Sequence, residues 1–176
     1  MQMSSVTKLT SVPAEVVMIV MSAGVLLFGF YLELYENLIP CPLCLVQRVF
    51  YVLVLFTNLS SLLLFNNPDY KIVCFHISSL FSLIGAAVAG RQIWMQRLPA
   101  DEIPECGPSL TYLLDIYPFQ KVLELIYHGS GTCAEVVWQF LGLSIAEWSI
   151  LFFGSFSVTS IISAHHLKRS QKIVKN

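Results

Sequence analysis

Four long apolar runs, residues 14–32, 45–65, 72–90 and 145–164, dictate what this chain can fold into. The shortest would reach roughly 28 Å as a helix rising about 1.5 Å per residue, close to a bilayer's hydrocarbon thickness of about 30 Å. Inside hydrocarbon every backbone N–H and C=O must find its partner within the segment, so each run is expected to be a helix. Only 12% of the 176 residues are charged, where a soluble domain carries about a quarter. The expected fold class is therefore all-α, a polytopic membrane four-helix bundle forming one domain over residues 1–176. Residues 1–13 read as a short, polar, mobile segment. A signal peptide is the competing reading of the first run. It would want a stronger basic start and a small-x-small cleavage site, so the run is read as a retained helix.

Four spans put both termini on one side, and Lys/Arg excess marks the cytoplasmic side. Lys168, Arg169, Lys172 and Lys175 lie after the last run, with Lys71 and Lys8 on the same side, which favours cytoplasmic termini. Loops 33–44 and 92–144 then face outward. They hold Cys41, Cys44, Cys106 and Cys133, while Cys74 falls near the inner turn and reads as a small buried hydrophobe. An outer compartment is oxidising, so these four thiols can cross-link. Three pairings are possible, and one bond per loop is the simplest. Within the long loop, Phe119, Val122, Leu123 and Ile126 recur at helical spacing, which predicts a short amphipathic helix at the membrane interface. A net charge of −1 and the lack of a basic face beyond the tail argue against nucleic-acid binding.

Cys41-Pro42-Leu43-Cys44 opens the second run. A helix N-terminus stabilises a thiolate, and a thiolate is the species that attacks a disulfide. Pro42 suits a first helical turn, where a missing N–H costs nothing. Arg48 lies one turn beyond Cys44 on the same face, where its charge would favour an anion, although near the boundary it can also reach toward the headgroups. Half of a zinc site is the alternative for the cysteine pair, but no zinc-knuckle pattern accompanies it, and no metal is expected. A purely structural disulfide would leave a charge inside a span unexplained. No Gly-x-Gly-x-x-Gly suggests a nucleotide cofactor, and a lipid-soluble acceptor suits thiols at the bilayer edge.

These residues carry a resemblance. Cys41-Pro42-Leu43-Cys44-Leu45-Val46-Gln47-Arg48, Gly90-Arg91-Gln92-Ile93-Trp94, Leu98-Pro99, Pro104-Glu105-Cys106-Gly107-Pro108, Cys133-Ala134-Glu135, and Trp138 to Ser144 with Trp148 follow in that order between four spans. The chain resembles the bacterial disulfide-bond-formation protein B family, inner-membrane oxidases that recharge a periplasmic thiol oxidase. The resemblance covers about residues 14–162. It implies a protein-dithiol:quinone oxidoreductase acting with a soluble thioredoxin-like oxidase and a membrane quinone, ubiquinone or menaquinone. It also implies a Cys106–Cys133 disulfide, attacked at Cys106 by the reduced partner. Cys133 would then react at Cys41, leaving Cys44 as the thiolate beside the quinone with Arg48 assisting. Arg91, at the outer boundary, either shapes the quinone pocket or meets lipid phosphates. Vitamin-K-epoxide-type reductases share the four-helix core and thiols, but the Gln47-Arg48 stretch and the segment from Cys133 to Trp148 do not look like theirs. A transport subunit is disfavoured, since the spans show no second polar stripe suggesting a conduit. Trp94, Trp138 and Trp148 read as interface anchors.

Overall fold

The computed structural model describes residues 3–36, 38, 40–63, 67–99, 116–118, 120–121, 131–134, 136 and 138–175. Among them, four helices are long and apolar enough to cross a membrane. They are α1 (Met3–Tyr35), α2 (Pro42–Leu63), α3 (Pro68–Gln96) and α5 (Ile145–Lys175). A single helical turn, α4 (Gly131–Ala134), and a two-stranded hairpin, β1 (Gln139–Phe140) with β2 (Leu143–Ser144), precede α5. Helix α1 packs on α2, α2 on α3, α3 most extensively on α5, and α5 back on α1, closing the ring.

The chain is thus all-α apart from the hairpin, as the apolar runs require, but the helices outrun those runs. Helix α1 begins at Met3, so the segment expected to be mobile is helical, Pro13 included. A proline removes one N–H, and the carbonyl it frees can be satisfied by water or neighbouring groups near the end of a span. Helix α2 starts at Pro42, which puts Cys44 inside its first turn. Helix α3 continues through Arg91 and Gln92 to Gln96 and stops before Pro99, because a residue preceding proline is pushed out of helical conformation. The outer loop therefore begins later than residue 92. The amphipathic stretch 119–126 and Cys106 lie outside the described residues, apart from a helical pair at 120–121.

The starts of α3 and α5 are capped. Asn67 accepts a hydrogen bond from the Asp69 N–H at 3.0 Å, with Pro68 as the first helical residue of α3. At α5, the Ser144 hydroxyl accepts from the Glu147 N–H at 3.3 Å and the Glu147 carboxylate accepts from the Ser144 N–H at 2.8 Å, a reciprocal capping box. Glu147 also meets Arg97 at 3.1 Å, fastening the end of α3 to the start of α5. The hairpin turns on Leu141 and Gly142, both at positive φ (53° and 79°), the combination a type I′ turn demands.

The apolar surface points outward. Val20, Leu27, Val49, Phe56, Leu80, Leu83, Leu151 and Val158 are all more than half exposed, a belt that only lipid would cover. Inside, Met18, Tyr51, Val54, Phe75, Phe153 and Phe156 form the main core, but a polar seam runs through it. Asn58 donates to Ser78 at 3.0 Å, Ser79 and Ser157 are 3.0 Å apart, and Ser160 reaches Ser78 at 3.5 Å. Ser and Asn scattered among apolar residues read as noise along one run, yet they meet across helices, where small polar residues permit close approach and mutual hydrogen bonds.

Gly85 is one such close approach. A Cβ there would sit 2.6–2.8 Å from carbons of the Phe153 ring, which is fully buried and stacks on Tyr51 with centroids 4.1 Å apart. Gly85→Ala is expected to destabilise the detergent-solubilised protein by about 1–3 kcal/mol, the usual cost of overpacking. Gly24→Ala, where a Cβ meets nothing within 4 Å, is the control. Equal thermal midpoints for the two variants would show that the helix crossing has slack.

Candidate active site

The N-terminus of α2 is built from its own thiols. Cys41 sits just before Pro42 and its sulfur accepts the Cys44 N–H at 3.3 Å, taking the place that a serine or asparagine oxygen fills at other helix starts. The Cys41 S–H donates to the Cys44 sulfur at 2.8 Å. Cys133, fully buried on α4, packs with Cys41, Leu43 and Met95 in a second small core. The hydrogen bond between Cys133 and Cys41, the Cys44 contact and burial together raise the pKa of Cys41 well above that of an ordinary thiol. Cys41 is thereby held protonated, a donor between two other sulfurs.

Gln92 of α3 closes over the pair. Its side-chain nitrogen lies 3.3 Å from the Cys44 sulfur and 3.5 Å from that of Cys41. Its oxygen accepts from Gln47 at 2.7 Å and lies 3.7 Å from the Cys44 sulfur. Both glutamines are buried.

A cleft of about 120 Å³ opens beside Cys44. Cys41, Cys44, Gln47, Arg48 and Gln92 line its polar end, and Val25, Leu26, Phe28, Leu32 and Ile145 its apolar walls. Arg48 is fixed in it from below, by Glu33 at 2.5 Å and the Gly29 carbonyl at 2.8 Å, with its guanidinium over Phe30. A Cβ at Gly29 would come within 3.2 Å of the guanidinium, so the helix is bare where the arginine lies against it. A second, apolar cleft of about 570 Å³ runs between α1 and α5, lined by Val20, Met21, Gly24, Trp138, Phe140, Trp148 and Phe152. The two share Val25, Phe28, Ile145 and Ser149. The Trp138 ring stacks on Phe140, the Trp148 ring lies tilted against it, and the Trp148 N–H donates to the Phe140 carbonyl at 3.1 Å. A planar ligand with a polar ring and a long apolar tail fits this pair of clefts.

Of the residues singled out from the sequence, Cys41, Cys44, Cys133 and Arg48 come together. Arg91 does not join them: its guanidinium stacks on Trp94, 4.3 Å from the ring centroid, and it is not among the residues lining the cleft. Cys74 is buried in α3. Among the described residues, no group of three or more His, Cys, Asp or Glu side chains is arranged to hold a metal ion.

A thiol cluster at the mouth of a four-helix membrane bundle, facing an apolar cleft, defines a membrane thiol oxidoreductase. Residues 13–163 match the family described as Disulfide bond formation protein DsbB, and the chain belongs to that family. It is similar to Disulfide bond formation protein B of Hahella chejuensis, 44% identical over 137 residues, covering 77% of this chain and 82% of that one. It is 42% identical to the protein of the same name from Marinobacter nauticus over 143 residues, 79% and 83% of the two chains. Disulfide bond formation protein B 1 of Pseudomonas aeruginosa is 38% identical over 156 residues, 85% of this chain and 93% of its own length. The protein is accordingly a multi-pass inner-membrane enzyme, a protein-dithiol:quinone oxidoreductase that reoxidises a periplasmic thiol oxidase.

Proposed function

We propose that electrons enter at Cys106, pass through Cys133 to Cys41, and leave from Cys44. The contact that carries this reading is Cys41 placed between Cys133 and Cys44. The reduced partner, a soluble thioredoxin-like oxidase of the DsbA kind, attacks the Cys106–Cys133 disulfide at Cys106. Cys133 leaves as a thiolate and attacks Cys41 of the Cys41–Cys44 disulfide, which releases Cys44. A bound quinone supplies a two-electron, two-proton acceptor. Cys44 lines the cleft where that acceptor would sit, and Arg48 and Gln92 place hydrogen-bond donors around it. The apolar cleft between α1 and α5 suits an isoprenoid tail, which ubiquinone and menaquinone share. The thiol end faces the periplasm and both termini face the cytoplasm, as the basic tail favours.

Purified protein mixed with reduced oxidase and ubiquinone in oxygen-free buffer should reduce one quinone for each partner disulfide formed, followed by quinone absorbance. Partner oxidation without quinone loss would overturn the electron exit. Arg48→Ala should raise the KM for quinone roughly 10- to 100-fold, the scale of one lost hydrogen bond from a charged donor. The KM for the partner should barely move, and the reverse order would remove Arg48 from the acceptor site.

A further inference from the structure

The thiol–acceptor step needs a group that steadies negative charge on Cys44, and the hydrogen bonds that Arg48 makes within the protein run to other partners. Its guanidinium is bound to the Glu33 carboxylate and to the Gly29 carbonyl. The donors on the Cys44 sulfur are instead the Cys41 S–H at 2.8 Å and the Gln92 side-chain N–H at 3.3 Å. We propose that Gln92 is a catalytic residue, its buried carboxamide stabilising the sulfur anion of Cys44, and that Gln47 is the positioning residue that keeps the donor end of that amide on the thiols. The inference rests on the reading that Cys44 faces the acceptor.

The orientation of the amide is the first support. Gln47 donates to the Gln92 oxygen at 2.7 Å, so the nitrogen of Gln92 is turned to the sulfurs. Gln47 lies three residues after Cys44, on the same face of α2, and Gln92 reaches in from α3. The two thiols and two amides therefore form one largely buried polar cluster, and a hydrogen bond there is stronger than in water.

The neutrality of the donor is the second support. A thiolate stabilised by a full positive charge is more abundant but less nucleophilic. Cys44 must remain reactive toward both the acceptor and Cys41. An amide N–H favours the anion without matching its charge, and the amide oxygen, 3.7 Å from the same sulfur, can accept the proton of the thiol form. Both protonation states thus find a partner without movement of the backbone. In the net step, the Cys41 and Cys44 thiols lose two electrons and two protons as their S–S bond forms. The acceptor gains both, becoming quinol.

The test reads charge on Cys44 with neither partner nor quinone present. The reduced full-length protein in detergent is treated with iodoacetamide across a pH series, and labelling of the Cys44 peptide is timed by mass spectrometry. Gln92→Met keeps the volume and removes the donor. It is expected to slow labelling at neutral pH about tenfold, while the rate at a pH that ionises every accessible thiol stays native. Gln47→Met should move the same ratio in the same direction by less. A native ratio of neutral to alkaline rates in Gln92→Met would overturn the proposal. Should Gln92→Met open the bundle, seen as labelling of the buried Cys74, Gln47→Met decides alone: a lowered ratio supports the role and a native ratio overturns it. Failure of the underlying reading is separate, because it would appear as quinone turnover in a protein lacking the Cys44 thiol.

Discussion

Cys44→Ser is expected to abolish quinone reduction by the reduced periplasmic oxidase, leaving no turnover above the protein-free background. The reason lies in what each sulfur touches. Both sulfurs border the cleft, but Cys41 is buried against Cys133 at the helix start, whereas Cys44 is the less buried of the two and has the Gln92 amide nitrogen 3.3 Å from its sulfur. A serine hydroxyl cannot form the S–S bond with Cys41 that delivers the electron pair, nor is it ionised at neutral pH. The same variant should still form a mixed disulfide with the partner, because Cys106, Cys133 and Cys41 are intact. Non-reducing gel electrophoresis would show it. Cys74→Ala provides the contrast, since its thiol lies in the second turn of α3, toward the opposite end of the bundle, and is not among the residues lining the cleft; its turnover should remain native. Quinone reduction at a native rate in Cys44→Ser would remove Cys44 from the exit.

What the sequence could reveal about this site follows from the range of each interaction. Apolar runs long enough to span hydrocarbon specify four helices without any tertiary information, and they did so here. The Cys-x-x-Cys pair at a helix start and Arg48 one turn later are local patterns, so their shared face was readable too. Arg91 and Gln92 show the limit. Neighbours on a helix point about 100° apart, so only one of the two can face the thiols. Charge marks Arg91 as the candidate, yet Arg91 turns to Trp94 three residues on, and Gln92 turns inward. Ser144-x-x-Glu147 before an apolar run is a capping-box pattern, a local signal that the sequence does display. Leu141 at positive φ left no such sign, because leucine is not a turn residue; only Gly142 beside it hints at the hairpin.

The pairing of Glu15 with Lys71 was beyond local reading altogether, and it carries the largest expected effect on stability. The two are 56 residues apart and each looked like an ordinary charge at the edge of a run. In the bundle the Glu15 carboxylate is fully buried and accepts from the Lys71 ammonium at 2.9 Å on both oxygens and from the Ser61 hydroxyl at 2.7 Å. It ties α1 to α2 and α3 at the end of the bundle away from the thiols. Removing one member of a buried pair strands a charge where water cannot reach it, at a cost of about 3–5 kcal/mol. Lys71→Ala should lose that much unfolding free energy in detergent and drop sharply in membrane abundance. Ser61→Ala should lose about 1.5–3 kcal/mol, the value of a hydrogen bond to a charged group. The double variant Glu15→Leu with Lys71→Met should recover most of the loss, because an apolar replacement of both partners strands no charge. Unfolding measurements on the single and double variants decide the matter. If Lys71→Ala unfolds like the native protein, the pair does not hold these helices together. If the double variant is as weak as the single, the loss comes from packing around the lysine stem and not from charge.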